Sequence, residues 1–204
     1  MSLPLPSLLV ISDRSQARAP LDEIAAALFA GGCRWFSLRE KDLPATERLV
    51  VLKKLVAVGA ACGATITVHD DIDAAREAGA GGVHLPAGAA IEQARARLGA
   101  KALIGQSAHD MGEIARAAEA GADYVTLSPI FLSASKPGYG PALGIDVFRL
   151  PAPLPIIALG GIDPTNARAC LDAGAAGVAT MGGAMSARDP MVYAAALLAA
   201  MVRR

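Results

Sequence analysis

Short apolar runs alternate with alanine-rich amphipathic stretches along the whole chain. The apolar runs and their flanks predict eight strands: Ser7–Asp13, Arg34–Glu40, Thr65–Asp71, Gly82–Pro86, Ala102–Ser107, Tyr124–Phe131, Pro155–Gly161 and Gly177–Gly182. Several are apolar at consecutive positions, as in parallel strands covered on both faces. Between them, LDEIAAALFA, ERLVVLKKLVAVGAA, IEQARARL, GEIARAAEA and TNARACLDA repeat their apolar residues at three- and four-residue spacing, which predicts helices. Eight strand–helix units in 204 residues leave room for little except a closed barrel. The predicted fold is α/β, a single (β/α)8 TIM barrel over residues 1–204.

A weak internal repeat supports it. FAGGCRWFSL, EAGAGGVHL, EAGADYVTL and DAGAAGVAT each run from a helix end through glycine into a strand. A glycine there can take the left-handed conformation that ends a helix. The competing fold, an open doubly wound sheet, lacks the GxGxxG turn after its first strand.

The composition excludes several classes. A 53% hydrophobic and 19% charged chain is globular, not disordered. Lys plus Arg and Asp plus Glu both total 19, so no basic surplus points to nucleic acid or an anionic membrane. Any anion site must be local. No uninterrupted apolar run reaches the ~18 residues of a membrane span, and the first residues lack a signal peptide's basic region, so a cytoplasmic protein is expected. Cys33, Cys62 and Cys170 form no CxxC pair and read as small apolar residues. The sequence is compatible with a homo-oligomer.

A barrel of this type builds its active site at the carboxyl ends of the strands. Those ends are polar here: Asp13, Arg39 with Lys41, His69 with Asp70 and Asp71, Ser107 with His109, and Ser128. Strand seven closes on Gly160-Gly161 and strand eight on Gly182-Gly183. Paired glycines let backbone N–H groups approach a phosphate, often beside a helix N-terminus, so a small phosphorylated ligand is predicted. Arg39 and Lys41 could grip phosphate or form a surface ion-pair cluster. Lys136, with Ser133 and Ser135 as hydroxyl donors, suits a mobile lid. His69-Asp70-Asp71 could hold a hard cation, or Asp71 or Asp73 could cap the next helix. His84 reads as a satisfied, partly buried histidine, and His109 as a loop residue or an acid–base group.

SLREK, HDD, GVHL, GQSAH, DYVTLSPIF, SASK, ALGGI and GVAT resemble, in this order, the motifs of the thiamine phosphate synthase/TenI superfamily. The resemblance covers essentially the whole chain and implies a (β/α)8 barrel. It implies a transferase joining hydroxymethylpyrimidine diphosphate to thiazole phosphate, with release of diphosphate and with Mg2+ as cofactor. By that likeness Arg39, Lys41, Ser107 and Lys136 bind diphosphate and Asp70 ligates magnesium. Ser133 and Ser135 fall where the family usually has threonines, and Gly161, Gly182 and Gly183 hold the thiazole phosphate. Three positions depart from the synthase pattern: Ser37 replaces glutamine, His69 replaces asparagine, and Ala89 replaces an aspartate that contacts the metal. The LPAG turn at Leu85–Gly88 resembles the TenI branch, a thiazole tautomerase, yet Pro129 stands where that branch has its histidine. The resemblance implies the synthase reaction, with a tautomerase or a non-catalytic phosphate-binding barrel as alternatives.

Overall fold

All eight apolar runs form strands in the computed structural model, which describes residues 2–132 and 140–202. The strands are β1 (Leu8–Ile11), β2 (Trp35–Leu38), β3 (Thr65–His69), β4 (Gly82–Leu85), β5 (Leu103–Ala108), β6 (Tyr124–Leu127), β7 (Ile156–Ala158) and β8 (Gly177–Thr180). Each pairs in parallel with its sequence neighbours, and β8 returns to β1, closing the barrel. Seven strands are followed by α-helices: α1 (Leu21–Ala30), α2 (Ala45–Ala60), α3 (Ile72–Ala78), α4 (Ile91–Leu98), α5 (Met111–Glu119), α6 (Ala167–Ala173), and then α7 (Gly182–Met185) with α8 (Pro190–Met201) after β8. Between β6 and β7 the described chain forms only a 3-10 turn over Ile145–Arg149. Pro151, Pro153 and Pro155 follow that turn, and proline cannot donate the N–H bonds that would extend it into a helix.

Seven of the eight strands are shorter than the sequence pattern predicts, while β5 keeps its length and shifts by one residue, and polar residues beyond the strand ends serve the loops. Asp71 leaves β3 to cap α3, accepting the Ala74 N–H at 2.9 Å. Asp110 and Asp189 cap α5 and α8 in the same way, at 2.8 and 3.1 Å. Each such cap is worth about 1 kcal/mol. The repeated helix-to-strand glycines, Gly32, Gly79, Gly121 and Gly174, all have positive φ, between 67° and 121°.

Alternation along the strands sorts side chains into two layers. Leu8, Val10, Phe36, Val68 and Val125 point outward into the shell between barrel and helices. Leu9, Ile11, Trp35, Leu103, Tyr124 and Ile157 fill the barrel interior. Trp35 meets Tyr124 edge-on at 4.7 Å between ring centroids. Gly105 makes that packing possible, since a Cβ there would lie 2.0 Å from the Tyr124 ring. Cys33 and Cys170 are buried thiols pushed up to about 11 by that burial, as expected of packing residues. Among the described residues no helix is long and apolar enough to cross a membrane.

Candidate active site

The polar strand ends surround one cavity of about 790 Å³ at the carboxyl end of the barrel. Arg39, Lys41, His69, Asp70, Ser107, His109, Gly160, Gly161, Gly182 and Gly183 all line it. The structure thus brings together ten of the thirteen residues expected from the sequence. The other three, Ser133, Ser135 and Lys136, lie outside the described residues.

The wall formed by β2 is braced from below. Glu40, next to Arg39, turns inward and is only 4% exposed. Its carboxylate accepts the Ser12 hydroxyl at 2.6 Å and the Arg14 backbone N–H at 3.1 Å. The Ser12 Oγ in turn accepts the Arg39 N–H at 2.8 Å. Burial pushes the Glu40 carboxyl above its ordinary value, against the opposing pull of these donors. Arg14 also pairs with Asp42. Among the described residues Arg39 and Lys41 form no ion pair, so both cations stay available at the cavity wall. Among the described residues the ion pairs of this wall run through Arg14, to Glu40 and Asp42.

The floor carries neutral polar groups. His84 is buried, with Nδ1 3.0 Å from the Tyr124 hydroxyl and Nε2 3.1 and 3.2 Å from the Ser107 and Thr126 hydroxyls. Burial, then the Arg39 charge, holds it down at about 3. His69 stacks obliquely on it at 4.7 Å. Burial first, then His84, Arg39 and Lys41, keeps His69 well below the usual imidazole range. Its Nε2 has no hydrogen-bond partner among the described residues, although the ring lines the cavity. His109 lies at the rim, where its backbone N–H and Nδ1 both meet Glu113.

Asp70 combines a cavity-lining position with unusual backbone geometry. Its φ is 54°, the one positive value among the described non-glycine residues, and its N–H donates to the His84 carbonyl at 3.0 Å. Asp71 is turned away: besides capping α3, it takes the Arg48 guanidinium at 2.6 Å. Asp73 pairs with Arg97. Of the three aspartates, only Asp70 is left for a cation. Among the described residues no three His, Cys, Asp or Glu side chains converge as a ready-made metal cage. Asp163 also lines the cavity, but its Oδ1 accepts the Thr165 N–H and hydroxyl at 2.7 and 2.6 Å. One carboxylate such as Asp70 nevertheless fits magnesium, which keeps most of its waters and is often shared between one or two carboxylates and a substrate's phosphates. Ala89 supplies no second acid. It packs against the core, its carbonyl accepts the Gln106 side chain at 3.0 Å, and Pro86 and Ala87 line the cavity instead.

On the opposite wall stand the two glycine turns. A Cβ at Gly161 would lie 2.6 Å from the Leu132 carbonyl, and Gly161 has a φ of 63°. The loop after β6 therefore imposes glycine here as firmly as any ligand would. At Gly183 a Cβ would meet the Tyr193 hydroxyl at 2.3 Å, and that hydroxyl is 3.1 Å from Thr180 Oγ1. Among the described residues the turns close through the N–H groups of Asp163, Ala184 and Met185.

Sequence reasoning missed the Ser12–Glu40 brace and Tyr193, which reaches the cavity from α8. Nothing local marks Tyr193. Glu40 sits inside SLREK, and an acid between two cations was the available signal.

Comparison with known proteins identifies the family of the chain. The thiamine monophosphate synthase family model matches residues 8–184. A thiamine-phosphate synthase of Chromobacterium violaceum is 41% identical over 183 residues, covering 88% of each chain. One from a Roseiflexus species is 34% identical over 209 residues, covering 96% of this chain and 86% of its own. The solved structure of thiamine phosphate pyrophosphorylase from Pyrococcus furiosus superposes with a TM-score of 0.84 at 27% identity, covering 96% of this chain and 95% of that one. With a family match over most of its length and relatives of that name at 34–41% identity, the chain belongs to the thiamine monophosphate synthase family.

Proposed function

We propose that the protein is a thiamine-phosphate synthase that joins hydroxymethylpyrimidine diphosphate to thiazole phosphate and releases diphosphate. One observation carries this reading: two cations and a hydroxyl, Arg39, Lys41 and Ser107, share a single cavity with the glycine turns at 160–161 and 182–183. Two anions can therefore be held apart in one space.

In this reading the C–O bond between the pyrimidine methylene and the diphosphate breaks, and its electron pair leaves with the diphosphate. Arg39, Lys41 and Ser107 meet the charge that grows on the leaving oxygens, together with Lys136. Preorganised charge of this kind usually lowers an enzymatic barrier more than any other single effect. The lone pair of the thiazole nitrogen then forms the new C–N bond. No protein nucleophile or base takes part, which suits a floor of neutral histidines. The glycine turns hold the thiazole phosphate and keep its nitrogen facing the methylene. Asp70 is the residue that would hold magnesium, which when bound to diphosphate offsets its negative charge. Small phosphorylated substrates are thus the ligands of this site.

The kinetics of single variants test the reading. Lys136→Ala and Arg39→Ala are each expected to lower kcat by ~100-fold or more, as when one preorganised donor is lost. A tautomerase would respond differently, with those changes mainly raising KM and with His69→Ala or His109→Ala abolishing the rate.

A further inference from the structure

We propose that Tyr124 and His84 act as a hydrogen-bond relay that turns the Ser107 hydroxyl proton toward the cavity, making Ser107 a fixed donor to a bound anion. Tyr124 and His84 touch no substrate in this arrangement. They are positioning residues, and the diphosphate-facing role of Ser107 rests on the function proposed above.

The direction of the relay follows from which buried hydroxyl donates to the ring. The Tyr124 side chain is fully buried, and among the described residues its hydroxyl has one partner, His84 Nδ1 at 3.0 Å. If Nδ1 carried the imidazole proton, the phenol could only accept, and its own buried O–H would have no acceptor. The Thr126 hydroxyl is as buried and has His84 Nε2 as its one partner among the described residues, so the two hydroxyls compete for the single lone pair of the ring; the phenol is the more acidic donor, and it donates to Nδ1. The single proton of the neutral ring then sits on Nε2. Nε2–H faces Ser107 Oγ at 3.1 Å and Thr126 Oγ1 at 3.2 Å, and both accept. Once Ser107 Oγ accepts from His84, its own hydrogen is left for the cavity that Ser107 lines. The opposite tautomer would draw the Ser107 proton inward and present lone pairs to an anion. Gly105 secures the relay, because any side chain there would displace the Tyr124 ring.

Nuclear magnetic resonance and calorimetry on the intact protein test this without requiring turnover. Long-range ¹⁵N–¹H correlation reads the tautomer of each imidazole, and His84→Gln identifies the His84 signals among the three histidines. The Nε2–H form is expected in the wild type and should be lost in Tyr124→Phe. Inorganic diphosphate is the binding probe. Ser107→Ala and Tyr124→Phe should each weaken it roughly tenfold, in line with the loss of one hydrogen bond to a charged group. The double variant should be no weaker than Ser107→Ala alone, because the two residues act through one contact. His84→Gln, whose amide N–H can replace Nε2–H, should retain more affinity than His84→Leu. An Nδ1–H tautomer in the wild type, additive losses in the double variant, or unchanged diphosphate affinity in Ser107→Ala would each overturn the relay. If the protein binds diphosphate with this coupling yet condenses no substrates, the transferase reading fails and the relay stands.

Discussion

The Ser12 hydroxyl donates to the Glu40 carboxylate at 2.6 Å and accepts the Arg39 backbone N–H at 2.8 Å, tying the first loop to the cation that lines the cavity. Ser12→Ala removes one donor from a buried carboxylate and leaves a backbone N–H unmade. Stability should fall by about 1–3 kcal/mol, the cost of leaving such groups unsatisfied. The Glu40 carboxyl, already raised by burial, should rise further. Urea unfolding and the KM for the diphosphate substrate check this. Stability and KM both equal to wild type would show that the brace does not position Arg39.

His84 gives the protein an acid-sensitive core. Burial holds its pKa at about 3, well under the ordinary 6.5. The unfolded chain therefore binds a proton that the folded one refuses. The stabilisation is complete above about pH 6.5 and is lost as pH falls toward 3, at up to about 1.4 kcal/mol per pH unit. His69 is shifted in the same direction. Between about pH 7.5 and about pH 4.5, the wild type should lose roughly 2–3 kcal/mol more than His84→Gln, which carries no titrating ring. Parallel losses in urea midpoints would mean that His84 is protonated in the folded state.

Gly183 and Tyr193 should behave as a coupled pair. A methyl group at 183 meets the Tyr193 hydroxyl and forces it from Thr180. Gly183→Ala should cost about 1–3 kcal/mol, as overpacking does, and part of that cost should vanish in a Tyr193→Phe background. A double-mutant cycle in thermal unfolding reads the coupling, and purely additive losses would contradict the contact.

The barrel was legible because two periodicities alternate without interruption and because one glycine turn repeats four times. The site was legible wherever strand ends carry polar residues in short motifs, as with Arg39, Asp70 and Ser107. What escaped depended on contacts between distant positions. Ser12 and Glu40 are 28 residues apart, and Tyr193 joins the cavity only because α8 folds back beside β8. Gly161 was legible as a conformational requirement but not in its cause, since the Leu132 carbonyl that crowds it lies in another loop.

The two adjacent aspartates should separate cleanly. Asp71 caps α3 and pairs with Arg48, so Asp71→Asn should lower stability while leaving the magnesium dependence of turnover unchanged. Asp70→Asn removes the cavity carboxylate at the end of β3 and should raise the magnesium concentration needed for half-maximal rate, with a smaller loss of stability. A magnesium titration of both variants checks this. The reverse pattern would assign the cation to Asp71.

The most direct measurement is product formation by purified protein supplied with hydroxymethylpyrimidine diphosphate, thiazole phosphate and magnesium. One thiamine phosphate and one diphosphate should appear per turnover, only when both substrates are present. Absence of condensed product under conditions where both phosphorylated ligands bind the cavity would contradict the assignment.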